Sequence, residues 1–266
     1  MKHSKDIVRA LIAIPAYNEE QNIQNLLAKL GTWKKDVVVI DDGSEDKTAS
    51  LVRESGFTCL SRESNLGLSE FFRTAKEYGL RHDYTHLIAL DGDGQHDPQY
   101  IPQFIKALEK YDLVSGNRFA DLSGIPASKI ASNMFAAHLF KHFLNLTFPD
   151  VACGFRGIRL TDLPDNLIMS RFGIIYDMLI QHALSGKQTG FVGIPVIYHN
   201  SDPMNTKSSE ISGLLSAVSL YTPSSELRIL MESLKNKNDF RICLSGINFQ
   251  ACYQPPDAYM FTLHDL

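Results

Sequence analysis

The strongest constraint on the fold is an alternation of short, mostly apolar runs with amphipathic stretches of helical period. Residues 8–14 (VRALIAI), 36–40 (DVVVI), 86–90 (HLIAL) and 112–115 (DLVS) read as strands, and 57–60 as a further short one. Their apolar residues run together rather than alternate, so they predict strands covered on both faces. Between them, Ile23, Leu26, Leu27 and Leu30 fall at helical spacing and stop at Gly31. Leu68, Phe71, Phe72 and Ala75 repeat the pattern, as do Ile101, Phe104, Ile105 and Leu108. Asn18, with Gln21 three residues on, predicts a capping box, and Asp97–Pro98 a cap followed by a proline at the first helical position. A further helix is expected over 46–54, closed by Gly56, and longer ones over 128–146 and 171–184, then a strand over 190–198. Strands alternating with helices predict an α/β fold: a mostly parallel sheet with helices on both faces.

A chain of 266 residues with 44% hydrophobic content can bury one sizeable α/β core. The expected organisation is a domain over 1–200 and a C-terminal extension over 201–266, packed on the domain or on a membrane surface. A net charge of -4 provides no basic field for nucleic acid. The four cysteines are far apart, without metal-ligand spacing, which suits a reducing compartment. Neither a signal peptide nor a run of about 18 apolar residues is visible. A cytoplasmic location is expected, with peripheral contact at the cytoplasmic membrane face and homo-oligomerisation left open.

Open parallel sheets bind ligands beyond the carboxyl ends of their strands. Three polar clusters fall there: Pro15, Tyr17, Asn18 and Glu19; then Asp41, Asp42, Gly43 and Ser44; then Asp91 to His96. Asp91 and Asp93 are separated by one residue, so in extended chain they share a face. Two such carboxylates make a hard-oxygen site for Mg²⁺ or Mn²⁺, of the kind that binds the ion jointly with substrate phosphates. A calcium loop is excluded, because its sixth position is His96 and its twelfth Pro102. Asp41 and Asp42 offer acceptors for a nucleobase N–H or ribose hydroxyls, or simply shape a turn. Tyr17 reads as a stacking or lining residue, or as a core aromatic. Glu19 reads as a pocket residue, or as an acid in a first helical turn. GxGxxG, GxxxxGK[ST], GxSxG and HExxH are all absent.

In order along the chain stand IPAYNEE (14–20), VIDDGSEDKT (39–48), NLGLSEFFRTA (65–75), LDGDGQHDP (90–98), SGNRF (115–119) and DVACGFRG (150–157). Together, over roughly residues 7–200, they resemble family 2 glycosyltransferases of the GT-A (Rossmann-like) fold. The subgroup they resemble most is the dolichyl- or polyprenyl-phosphate sugar synthase-like enzymes. The resemblance implies a metal-dependent, inverting transfer from a UDP- or GDP-sugar to a lipid phosphate or to a glycan or sugar hydroxyl. It implies that Pro15, Tyr17, Glu19 and one or both of Asp41 and Asp42 line the nucleotide pocket. Asp91 and Asp93 would be the D-x-D pair, helped by Gln95 in holding the metal, and Arg118 would contact phosphate. Lys129 and Asn133 fall where relatives that use phosphate acceptors often carry Arg and Ser. Asp150 and Cys153–Arg156 match the family's acceptor-side turn.

A hydroxyl acceptor would need a general base, and Asp177 in FGIIYDMLI is the nearest candidate, unless it is a solvated helix position. Two departures stand out. Gly193 replaces an acidic residue common in the family, and the downstream basic stretch is reduced to Lys207 in SDPMNTKSS. The segment 211–221 (ISGLLSAVSLY) reads as a membrane-surface helix, a core helix or an oligomer contact. Two other functions compete. A sugar nucleotidylyltransferase would need a glycine-rich basic loop where IPAYNEE stands, and a catalytically weak nucleotide-sugar-binding protein would keep the pocket without turnover.

Overall fold

The computed structural model describes residues 7–165, 173–197, 208–222 and 224–229, and the backbone of three further strands within 240–264. The main sheet has seven strands: β1 (Ala10–Ala16), β2 (Val37–Asp41), β3 (Thr58–Ser61), β4 (His86–Ala89), β5 (Leu113–Asn117), β6 (Arg156–Arg159) and β7 (Thr189–Gly193). Their spatial order is β3-β2-β1-β4-β6-β5-β7. Every pairing is parallel except those of β6, which runs antiparallel between β4 and β5.

The apolar runs are continuous because successive residues serve opposite faces. Leu11, Ala13, Val38 and Ile40 join one core with Phe71, Phe72 and Ala75 of α3 (Leu68–Arg81) and Leu139 and Phe140 of α5 (Ala127–Leu144). Ile12, Ile14, Val37 and Val39 face the other core. There they meet Leu26 and Leu27 of α1 (Ile23–Lys29), Val52 of α2 (Thr48–Glu54), and Ile101 and Phe104 of α4 (Ile101–Leu108). Phe104 stacks on Phe155 with ring centroids 4.0 Å apart. Asp97 caps as expected: its carboxylate accepts from the Gln99 amide at 3.0 Å, ahead of a short 3-10 turn that feeds α4.

Beyond residue 160, α6 (Gly173–Leu184) and α7 (Ser208–Tyr221) complete the first core. Leu214, Leu215, Ala217 and Val218 of α7 are all buried, so the 211–221 segment is a core helix and spends its apolar face inside the protein. Among the described residues no helix is long and apolar enough to cross a membrane. The strand expected over 190–198 stops at Gly193. The pattern after residue 222 hid a second, antiparallel sheet of β8 (Phe240–Leu244), β9 (Ile247–Gln254) and β10 (Ala258–His264). Lys207 lies outside the described residues.

Candidate active site

The loops after β1 and β2 form one wall of the sheet's carboxyl edge. Hydrogen bonds cross between them repeatedly. The Asn18 amide donates to Ser44 Oγ at 2.9 Å, that of Glu19 to Thr48 Oγ1 at 2.8 Å, and that of Glu20 to Asp46 Oδ2 at 3.1 Å. In return the Glu45 amide donates to Asn18 Oδ1 at 2.9 Å and that of Lys47 to Glu20 Oε2 at 3.2 Å. Asn18 is therefore not a helix cap. It sits in the left-handed region at φ 57°, which Asn tolerates, and ties the loops, while α1 begins only at Ile23. Glu19 precedes the helix, its carbonyl accepting from the amides of Asn22 and Ile23 at 3.0 and 2.9 Å. Pro15 is half-buried within β1 and Tyr17 is 40% exposed, so Tyr17 is no core aromatic.

The two adjacent aspartates divide. Asp42 is consumed by structure. It accepts from Arg62 Nη1 at 2.7 Å, from the Leu66 amide at 3.0 Å and from the Gly67 amide at 2.7 Å. Asp41 accepts only from the Ser44 amide, at 3.2 Å, among the described residues. Of the pair, Asp41 is the one with acceptor capacity left, although it is only 2% exposed.

The D-x-D segment leaves the end of β4 and presses against two backbones. A Cβ on Gly92 would lie 2.8 Å from the Pro15 carbonyl, and one on Gly154 would lie 2.1 Å from Asp91 Oδ2. The Asp91 side chain is still 39% exposed and so faces an open edge. Asp93 Oδ1 accepts from the Gln95 amide at 2.9 Å, and the Gln95 carbonyl accepts from the Ile197 amide at 3.0 Å. Desolvation by the surrounding walls, and next the negative charge of Asp93, push the Asp91 carboxyl well above the usual carboxylate range. Arg118 and Arg156 oppose that shift without cancelling it. His96 is buried with Nε2 3.7 Å from Asp91 Oδ2 and with no partner for Nδ1. Burial drives its pKa down to about 3, so the ring is neutral.

Mutually repelling carboxylates suit a divalent ion. Among the described residues no group of three or more His, Cys, Asp or Glu could hold one unaided. That donor set fits a hard ion that completes its shell with ligand phosphates and water.

Arg118, just past β5, is organised by Asp150. Its Nε and Nη2 donate to Asp150 Oδ2 and Oδ1 at 2.7 and 2.8 Å, and its own amide donates to Oδ2 at 3.0 Å. Asp150 is 0% exposed, and Arg118 holds its carboxyl below the ordinary range against the opposing effect of burial, which is the largest influence. Asn133 on α5 is not available to a ligand. Its amide nitrogen donates to the Pro149 carbonyl at 2.8 Å and its oxygen accepts from the Val151 amide at 3.2 Å. Lys129, one turn earlier on α5, is half-buried. Asp177 departs from both readings of it: it is 0% exposed, neither a solvated residue nor a base facing the edge. The Tyr221 hydroxyl and Gln181 Nε2 donate to its two oxygens, which ties α6 to α7.

Sequence reasoning missed Arg156 as a buried clamp. Its guanidinium donates to the carbonyls of Cys153 at 2.8 Å, Val151 at 3.0 Å and Ile175. It also missed Arg62, which steadies Asp42. The glycine in CGFR was the one available signal that a backbone would pass against Asp91.

The description Glycosyl transferase family 2 matches residues 11–165. An uncharacterised protein of Methanocaldococcus jannaschii is 32% identical over 202 residues, 70% of this chain and 87% of that protein. The undecaprenyl-phosphate mannosyltransferase of Micrococcus luteus is 26% identical over 216 residues, 76% of this chain and 88% of its own. The crystal structure of Mycobacterium tuberculosis glucosyl-3-phosphoglycerate synthase with Mn²⁺, UDP-glucose and phosphoglyceric acid superposes with a TM-score of 0.61. That superposition covers 93% of this chain and 88% of that one, at 18% identity, and shows the shared GT-A fold.

Proposed function

The chain belongs to glycosyl transferase family 2, and from that premise we propose that it moves a hexosyl group from a nucleoside diphosphate sugar to a polyprenyl phosphate. The transfer inverts the anomeric carbon and depends on Mg²⁺ or Mn²⁺. One observation carries the choice of acceptor: among the described residues, neither Asp177, the base expected for a hydroxyl acceptor, nor Asp150 is open to the edge. Asp177 is buried between helices and Asp150 is spent on Arg118. A hydroxyl acceptor must lose a proton as it attacks, whereas a phosphate is already an anion. The name of the Micrococcus luteus relative supports a lipid-phosphate acceptor. The Mn²⁺ and UDP-glucose in the Mycobacterium tuberculosis structure support the ion and the donor class.

In this reading an oxygen of the acceptor phosphate attacks the anomeric carbon from the face opposite the leaving group. The bond from that carbon to the diphosphate oxygen breaks, and the nucleoside diphosphate leaves with the electron pair. Asp91 and Asp93, helped by Gln95, hold the divalent ion, which when bound supplies Lewis-acid neutralisation of the departing diphosphate. Arg118, held by Asp150, and Lys129 stabilise phosphate charge. Tyr17, Pro15, Glu19 and Asp41 line the nucleoside. Residues 1–200 form the catalytic domain and 201–266 an extension that packs on it through α7. The acceptor's hydrocarbon chain brings the protein to a membrane surface.

The test is transfer from labelled UDP-glucose and GDP-mannose to a polyprenyl phosphate, with Mn²⁺ and with EDTA. Lipid-linked product that requires Mn²⁺ and whose sugar has inverted is the expected result. Transfer to a sugar hydroxyl but not to the lipid phosphate would overturn the acceptor assignment. Donor binding without any turnover would make the chain a nucleotide-sugar-binding protein.

A further inference from the structure

We propose that Asp150 is the positioning residue for Arg118, and that through Arg118 it sets the affinity of the site for the donor's diphosphate. The inference rests on the reading of the site as a nucleoside diphosphate sugar pocket. The geometry is that of a built support. A carboxylate with no solvent exposure receives both the Nε and Nη2 edge of the guanidinium and the backbone amide of the same residue. Three bonds to one partner fix the guanidinium plane as well as its location, which a single contact does not do. Asp150 is itself immobilised. Its Oδ1 also accepts from the Ala152 amide at 3.1 Å, and Asn133 spans its two neighbours, Pro149 and Val151.

The held cation lies where it matters. Arg118 directly follows β5 at the carboxyl edge of the sheet, and the turn that begins at Asp150 abuts the D-x-D pair, since a Cβ on Gly154 would lie 2.1 Å from Asp91 Oδ2. A guanidinium held in one plane presents its charge to a phosphate in a fixed orientation. Only 19% of the Arg118 side chain is exposed, so its direction is set by the protein before any ligand arrives. Preorganised cations of this kind spend no ordering free energy when the anion binds.

The experiment is calorimetric titration of the full chain with UDP and with GDP in the presence of Mn²⁺. The variants are Asp150→Asn, Arg118→Ala and their combination. Asp150→Asn keeps the shape and removes the charge. It is expected to weaken nucleoside diphosphate binding about tenfold or more. The double variant is expected to bind no more weakly than Arg118→Ala alone, because Asp150 then has nothing to position. If Asp150→Asn does not fold, Asp150→Glu keeps the ion pair but pushes the guanidinium outward, and it is expected to show the same loss when titrated well below its melting temperature, where it is folded. Unchanged affinity in the folded variant overturns the proposal, and so does a loss that persists in full on the Arg118→Ala background. Either result leaves the pocket assignment standing, whereas absence of binding by the unmodified chain removes the pocket reading and this proposal with it.

Discussion

Replacing Gly154 with Ala isolates the contact between the 150–155 turn and the D-x-D pair. The backbone at Gly154 is not in the left-handed region, so alanine brings no conformational strain there. The effect is steric. The new Cβ would lie 2.1 Å from Asp91 Oδ2, and ordinary contact begins at 3.4 Å, so the carboxylate must retreat by about 1.3 Å. That group is the far end of a short side chain on an open edge and can rotate away. The stability cost therefore belongs at the low end of the ~1–3 kcal/mol typical of overpacking. At this chain length that is a fall in melting temperature of about 2–4 °C. Function responds differently, because misplacing a reacting or coordinating group by about 1 Å can cost ~100-fold. Gly154→Ala should melt close to the unmodified protein and lose Mn²⁺-dependent nucleoside diphosphate affinity and turnover by about two orders of magnitude. Melting followed by fluorescence, beside calorimetric titration with and without Mn²⁺, separates the two effects. A variant that keeps its metal-dependent affinity would refute the claim that the turn sets the position of Asp91.

Other consequences are equally direct. Asp93→Ala removes one of the two carboxylates and should weaken metal-dependent donor binding by more than the ~10–100-fold that loss of an outer partner costs a metal site; titration of UDP with and without Mn²⁺ measures it. Asp177→Ala deletes an acceptor for Tyr221 and Gln181 and should cost about 1–3 kcal/mol of stability, while donor affinity in the folded variant stays unchanged. A drop in affinity would return Asp177 to the site. His182 is buried with no partner for Nε2, and burial, then the charge of Lys187, lower its pKa. The unfolded chain protonates this ring below about pH 6.5 and the folded chain does not, so its contribution is present above that pH and lost as the pH falls. His182→Leu should therefore lose less stability between pH 7.5 and 5.5 than the unmodified chain in denaturant titrations.

The parallel strands were legible because burial on both faces leaves an unbroken apolar run, as in Leu11–Ile14 and Val37–Ile40. β6 was not, because its four residues, RGIR, contain two arginines and a glycine. Arg156 is buried there through bonds to carbonyls, a form of satisfaction that hydropathy does not register. Asn18 misled for a related reason. A local capping signal and a long-range tie use the same side-chain oxygen, and the tie to the Glu45 amide prevails. Asp91, Asp93, Asp41 and Tyr17 stood out in the sequence because they cluster at or just beyond the ends of strands, where the structure places them. Asn133, Asp42 and Asp177 were misread because a one-letter pattern does not say which polar groups the fold has already engaged.

β6 supplies the reverse of the usual strand-end logic. It runs antiparallel to β4 with Ala89 opposite Arg156, so the residues just before β6 arrive at the edge where the parallel strands end.

If the 17–20 and 43–48 loops line the nucleoside as proposed, the ties between them constrain how donor choice can change. Because backbone amides on each loop depend on side chains of the other, the two behave as a single wall. Exchanging residues in one loop to suit another base leaves amides on the opposite loop without acceptors. A shift of nucleotide preference in this scaffold is therefore a coupled event, in which Asn18, Ser44, Asp46 and Thr48 must change as a set or be kept as one.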